Sequence, residues 1–272
     1  MGAVAGETVG VGHARPLAGQ HAVVTGGGRG IGSAVAEALA TLGAAVTVMG
    51  RTREVLERRA AEIAERHGVG AAAEVVDVGD AGAVERAFTA AAARLGPPAI
   101  LVNNAGVARS APFLKTDPAL WNDMFAVDAA GPFLCTRHVL RCMIEARYGR
   151  IVNVASTAGL TGYPYVVAYC AAKHAVIGMT RALAREVATK GVTVNAVCPG
   201  YTDTDIVAGT LENITAKTGR TREEALAEIV AHNPQRRLVQ PQEVADAVAW
   251  LCLPSSAAVT GQSILVAGGE LP

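Results

Sequence analysis

The sequence predicts one doubly wound α/β domain, with a mostly or wholly parallel sheet of about seven strands and helices on both faces. Three observations carry that expectation. Short β-rich runs alternate with helical patterns of ten or more residues, an order that calls for right-handed crossovers and a parallel sheet. The first such run leads straight into a glycine cluster and a helix, where phosphate-binding loops sit. The chain is also 51% hydrophobic and only 18% charged, which suits a sheet covered on both faces.

Taken in order, the expected strands are His21–Val24, Ala45–Met49, Ala72–Val76, Ile100–Asn103, Arg150–Ala155, Val192–Val197 and a short last one at Ser263–Val266. Between them lie helical patterns at Ile31–Leu42, Arg53–Arg66, Ala83–Leu95, Ala119–Met143 and Val166–Val187. Arg222–Ala231 and Gln242–Leu251 add two more. Gly96-Pro97-Pro98 punctuates the third crossover. No Pro/Ser-rich linker or repeat divides the 272 residues, so residues 19–272 are expected to form one domain behind a flexible tail at 1–18.

Charge and cysteine content narrow the function classes. Twenty-four basic residues balance twenty-four acidic ones, which gives no footprint for nucleic acid or a membrane surface. No apolar run has membrane-spanning length, and the N-terminus lacks the charged start and apolar core of a signal peptide. The five cysteines are scattered in apolar contexts without metal-ligand spacing, as expected for reduced thiols in a cytoplasmic protein. His138 and His174 have no partner at metal-ligand spacing, so no metal is expected.

Several short motifs carry chemistry. The first turn, Thr25 to Gly32, has the spacing G-x-x-x-G-x-G through Gly26, Gly30 and Gly32, with Arg29 and Ile31 between them. Its glycines let backbone amides approach a pyrophosphate. Asn103-Asn104-Ala105-Gly106 follows the fourth strand, and Pro199-Gly200-Tyr201-Thr202-Asp203-Thr204 follows the sixth. Tyr169 and Lys173 stand four apart on one helical face, and Ser156 precedes Tyr169 by thirteen residues. Alone, each motif is weak: Tyr-x-x-x-Lys is usually a core ring beside a solvated lysine, and Ser156 alone is a turn serine. Together and in order they point to one site.

In these motifs, over roughly Leu17 to Gly269, the chain resembles the short-chain dehydrogenase/reductase family, whose fold is Rossmann-like. The resemblance implies Tyr169 as acid/base, Lys173 as its tuner and ribose ligand, and Ser156 as hydrogen-bond donor to the substrate oxygen. A lysine ammonium one turn away, together with a positive nicotinamide ring in the oxidised complex, is expected to lower the phenol pKa. Asn104, Ala105 and Gly106 would line the floor under a nicotinamide. Pro199, Gly200, Thr202 and Thr204 would meet its carboxamide and phosphate side, and Asp77 with Val78 its adenine. Val127-Asp128-Ala-Ala-Gly131-Pro132-Phe133 departs from the family's V-N-x-x-G-x-F, so Asp128 is expected where a relay asparagine stands. Val266-Ala267-Gly268-Gly269 departs from the usual V-D-G-G.

The residue after the second strand chooses between nicotinamide cofactors, an acid favouring a ribose hydroxyl and a base a 2′-phosphate. Here it is Arg51, with no acid until Glu54. Arg29 stands where NADP-preferring relatives carry a base, so NADP(H) is the expected cofactor. The segment Asp205–Leu238 corresponds to the family's substrate lid and carries Lys217, Arg220, Arg222, Arg236 and Arg237. Such a lid suits the phosphates of coenzyme A or a carrier protein, although a solvated helix with internal ion pairs fits as well. Ile151–Gly159 and Val194–Gly200 most resemble 3-oxoacyl-thioester and polyketide-type ketoreductases. The expected reaction is ketone–alcohol interconversion on a 3-oxoacyl thioester; the alternatives are a cyclic or aromatic ketone and a non-catalytic NADP-binding regulator. Apolar faces on the Ala119–Met143 and Val166–Val187 helices imply the family's homotetramer, or a homodimer.

Overall fold

The computed structural model describes residues 15–271. Its centre is a seven-stranded sheet in the order β3-β2-β1-β4-β5-β6-β7, with every pairing parallel. The strands are β1 His21–Thr25, β2 Ala45–Gly50, β3 Ala71–Val75, β4 Ile100–Asn103, β5 Gly149–Val154, β6 Val192–Pro199 and β7 Ser263–Val266. β1 and β4 are neighbours although β2 and β3 intervene in sequence, so the order reverses there. In open α/β sheets that reversal opens a crevice at the carboxyl ends of the strands.

The helices are α1 Gly30–Thr41, α2 Arg53–His67, α3 Ala81–Leu95, α4 Pro118–Phe125, α5 Gly131–Glu145, α6 Val167–Val187, α7 Asp205–Thr218, α8 Arg222–Val230 and α9 Pro241–Cys252. One face of the sheet buries Val35 and Leu39 of α1, Leu56 and Ile63 of α2, and Val244 and Val248 of α9. The other buries Phe88 of α3, Val139 of α5 and Val187 of α6. Two buried layers explain why the strands are nearly continuous apolar runs. No helix among the described residues is long and apolar enough to cross a membrane.

Three expectations need correction. The long helix over Ala119–Met143 is divided into α4 and α5 by a π-helical turn at Ala126–Ala130, where the Gly131 amide reaches back to the Ala126 carbonyl. Pro132 has no N–H for the carbonyl four residues earlier, that of Asp128, so the α-ladder cannot run through. Residues 1–14 of the expected tail lie outside the described residues, but Leu17 is fully buried in the core and its amide bonds to the Leu42 carbonyl. The segment Asp205–Leu238 contains an unexpected helix, α7, closed by Gly219 in the left-handed conformation. α7 and α8 share a small apolar cluster of their own, Val207, Leu211, Ala225 and Ile229.

A buried polar ladder fastens the helices beside the crevice to the sheet. Asn103 and Asn153 face each other across β4 and β5. Asn103 donates to Thr136 on α5 (3.1 Å) and to Asn153 (2.8 Å), and Asn153 donates to Thr180 on α6 (2.8 Å). These bonds hold α5 and α6 to the sheet, although the Asn103 side-chain oxygen, also buried, has no hydrogen-bond partner among the described residues. Replacing Asn153 by Ala removes both of its bonds and leaves a hole, so a urea titration should show a loss of about 2–4 kcal/mol.

Candidate active site

A single cleft of ≈ 950 Å³ opens at the carboxyl ends of β1, β4, β5 and β6. Its two ends differ in chemistry. At one end the loop after β1 presents Gly26, Arg29, Gly30 and Ile31, with Arg51 entering from the end of β2. Gly26 and Gly30 hold positive φ of 64° and 49°, which lets the loop turn back over the start of α1. α1 begins without a side-chain cap and without an acid in its first turn, so its first amides are left for an anion. The cradle fits a phosphate-bearing dinucleotide, because open amides and two arginines converge on it.

Asn104 ties this loop to β4. Its side-chain amide bonds to the carbonyls of Thr25 (3.0 Å) and Gly26 (3.3 Å), while the Thr25 hydroxyl accepts from the Asn104 and Ala105 amides. Gly32 does not line the cleft. It lies beneath the loop, where a Cβ would stand 2.2 Å from the Gly26 carbonyl oxygen. The expected adenine contacts are also outside the cleft lining. Asp77 is exposed and accepts from the Gly79 amide at 2.9 Å, and Val78 is buried against Gly131.

The cleft is lined further by Ala105, Gly106, Asp128, Ser156, Tyr169, Lys173, Pro199, Gly200, Thr202 and Thr204. Lys173 is buried one turn after Tyr169 on α6, its Nζ 5.6 Å from the centre of the phenol ring. Nζ also lies 3.3 Å from Asp128 Oδ1 and donates to the Val154 carbonyl at 3.3 Å. Asp128 is fully buried in the π-helical turn and accepts from the Val107 amide at 3.2 Å. The approach needs Gly106, since a Cβ there would sit 2.7 Å from Asp128 Oδ1. Ser156 caps a short 3₁₀ turn, its oxygen accepting from the Ala158 amide at 3.1 Å. That leaves the hydroxyl hydrogen to donate elsewhere.

In the cofactor-free chain burial outweighs the downward pull expected of Lys173 on the phenol pKa. Burial pushes Tyr169 up; Lys173 pulls it down, the Asp128 carboxylate pushes it up again, and Ser156 lowers it, with a net rise. The phenol is therefore a proton donor at neutral pH. Burial also raises Asp128, against the pull of Lys173. For Lys173, burial lowers the pKa but Asp128 and Tyr169 outweigh it, so the ammonium persists.

Other cleft residues were not singled out from sequence. Ser110 and Asn213 bridge the mouth, Asn213 donating to Ser110 at 3.1 Å and so joining α7 to the loop after β4. Tyr163 donates a short hydrogen bond to Glu270, and Tyr201 lines the same wall. Burial and Glu270 keep the Tyr163 phenol well above its ordinary value. Tyr163 and Tyr201 lay inside stretches already marked by motif, but nothing local connects Glu270 to them. Of the five lysines and arginines in Asp205–Leu238, Arg220 pairs with Glu228 inside the segment and Arg237 with Glu243 of α9, while Lys217 lines the cleft.

The short chain dehydrogenase family model matches residues 20–215. The chain belongs to this family. The dehydrogenase is 38% identical to the 3-oxoacyl-[acyl-carrier-protein] reductase FabG of Aquifex aeolicus, over 93% of this chain and 98% of that one. It is 36% identical to the Escherichia coli protein of the same name, over 92% and 97%. An actinorhodin polyketide ketoreductase variant solved with NADPH superposes with a TM-score of 0.88, at 40% identity over 92% of this chain and 97% of the other. This short chain dehydrogenase is an oxidoreductase acting on a ketone/alcohol pair.

The Asp128 charge acts on the Tyr169 phenol. Because the carboxylate opposes ionisation of Tyr169, the neutral substitution Asp128→Asn lowers the phenol pKa. With Tyr169 as the expected proton donor to the ketone, the alkaline limb of kcat/KM should move to lower pH. A pH–rate series on both proteins checks the shift; an unchanged profile and turnover would remove Asp128 from the relay position.

Proposed function

We propose that this dehydrogenase reduces the ketone of a 3-oxoacyl thioester with NADPH, or runs the reverse oxidation. The observation that carries the reading is one cleft with an uncapped helix start, Arg29 and Arg51 at one end and Ser156, Tyr169 and Lys173 at the other. The basic pair and the absence of an acid after β2 support a 2′-phosphate over a free ribose hydroxyl. NADPH, when bound, supplies the hydride. Gly26, Gly30 and the α1 amides would hold its pyrophosphate, and Lys173 its ribose.

The chain's own residues manage the proton and the developing charge. Ser156, with its oxygen occupied by the Ala158 amide, turns its hydrogen toward the substrate carbonyl. Tyr169 gives its proton to that oxygen as negative charge builds. Lys173 stabilises the phenolate left behind, and Asp128 keeps the lysine charged and in place. Water meets a partly closed mouth, because Asn213 on α7 and Ser110 join across it.

Lys217 at the cleft edge supports a substrate with phosphates beyond its acyl end, as in coenzyme A or a carrier-protein pantetheine. The expected assembly, a homotetramer or homodimer, belongs to the same reading. Phe133 on α5 is 51% exposed and supplies an apolar contact on the helix face such a pairing would use.

Acetoacetyl-CoA and a panel of cyclic and aromatic ketones, followed by NADPH oxidation, test the substrate class. The thioester should have the highest kcat/KM, and Tyr169→Phe should lower it roughly 10²–10⁴-fold. Preference for a cyclic ketone would move the assignment to that class. Binding of NADPH with no turnover of any ketone would instead identify a regulator. Arg51→Ala should weaken NADPH about 10–100-fold and leave NADH nearly unchanged, as loss of a charge-assisted phosphate contact requires.

A further inference from the structure

A second cavity, of ≈ 260 Å³, lies at the opposite end of the sheet from the catalytic cleft, where β5 and β6 begin. Arg150 and Thr193 are cross-strand partners there, so their side chains share one face. Both line the cavity, with Tyr148 and Thr260 beside them.

Three features of the lining point to a ligand. Arg150 is only 3% exposed, yet no acidic residue pairs with it among the described residues. Its Nη1 donates to the Gly149 carbonyl at 2.9 Å and its Nε makes a long contact to Leu253, which leaves the Nη2 end without an acceptor. The guanidinium is stacked 4.6 Å over the Tyr148 ring, so its direction is fixed. Buried charges are normally paired, because an uncompensated one is costly. Thr193, 5% exposed, has a buried hydroxyl with no hydrogen-bond partner, and so has Tyr148. The cavity is thus lined by one unpaired cation and by two residues whose buried hydroxyls have no hydrogen-bond partner among the described residues.

We propose that this cavity binds a small oxyanion, a phosphate or carboxylate group, held by Arg150 and by the hydroxyls of Thr193 and Tyr148. Arg150 is the second residue of β5, the strand whose other end leads to Ser156, so the anion stabilises the half of the sheet that carries that serine.

Thermal unfolding of the whole protein in chloride buffer, titrated separately with inorganic phosphate and with acetate at matched ionic strength, tests the site. Thr193→Val is nearly isosteric and removes an orphaned hydroxyl, so it should unfold no earlier than wild type without added anion. It should also weaken the stabilising anion about tenfold or more. Phosphate binding at the dinucleotide loop is common to both proteins and cancels in the comparison. A larger response to phosphate would assign the site to phosphate groups, and a larger response to acetate to carboxylates. Tungstate soaked into phosphate-free crystals should give an anomalous peak beside Arg150. Identical titrations of wild type and Thr193→Val, or tungstate peaks confined to the catalytic cleft, would overturn the proposal.

Discussion

The buried ion pair between Lys173 and Asp128 is the constraint around which the catalytic end is arranged. Lys173 must be charged and close to the phenol, but a lysine only 5% exposed loses most of its hydration. Removing two charges from water costs several kcal/mol each, and the attraction compensates only when geometry and further hydrogen bonds are good. Each neighbouring feature serves that geometry. The π-helical turn aims Asp128 inward, the Val107 amide takes one carboxylate lone pair, and Gly106 leaves room for the oxygen. The Val154 carbonyl accepts a hydrogen bond from the lysine ammonium, and the asparagine ladder holds α6 at the required height on the sheet.

The same pair sets the electrostatic balance at Tyr169. Lysine alone would lower the phenol pKa, but its carboxylate partner and the burial that accompanies a closed site act the other way. An asparagine in place of Asp128 would supply no such opposing charge. The site is thus biased toward a protonated phenol before cofactor arrives, the form that ketone reduction consumes. A positively charged oxidised nicotinamide nearby would shift the balance toward phenolate, which suits the reverse reaction.

Much of this was legible in the chain because it depends on local periodicity and spacing. The strand–helix alternation placed all seven strands within a residue or two, and the motifs placed Ser156, Tyr169, Lys173 and the first loop in one cleft. Pro132 was a visible sign that the long helix would break, but hydrophobic periodicity continues across the π-helical turn and hid it. α7 was missed because it buries only Val207 and Leu211, too few to mark a face. Asp77 is exposed after β3 with one oxygen held by the Gly79 amide, and Val78 packs into the core. Glu270 meets Tyr163 over a separation that no local pattern encodes.

The most direct test of the central constraint is a urea titration of cofactor-free Lys173→Met beside the double variant Lys173→Met/Asp128→Asn. The single change strands a buried carboxylate and should cost about 3–5 kcal/mol. The double change keeps an acceptor for Val107 without the charge and should recover at least half of that loss. A single variant within about 1 kcal/mol of wild type, or a double variant no more stable than the single, would contradict a structure organised around this ion pair.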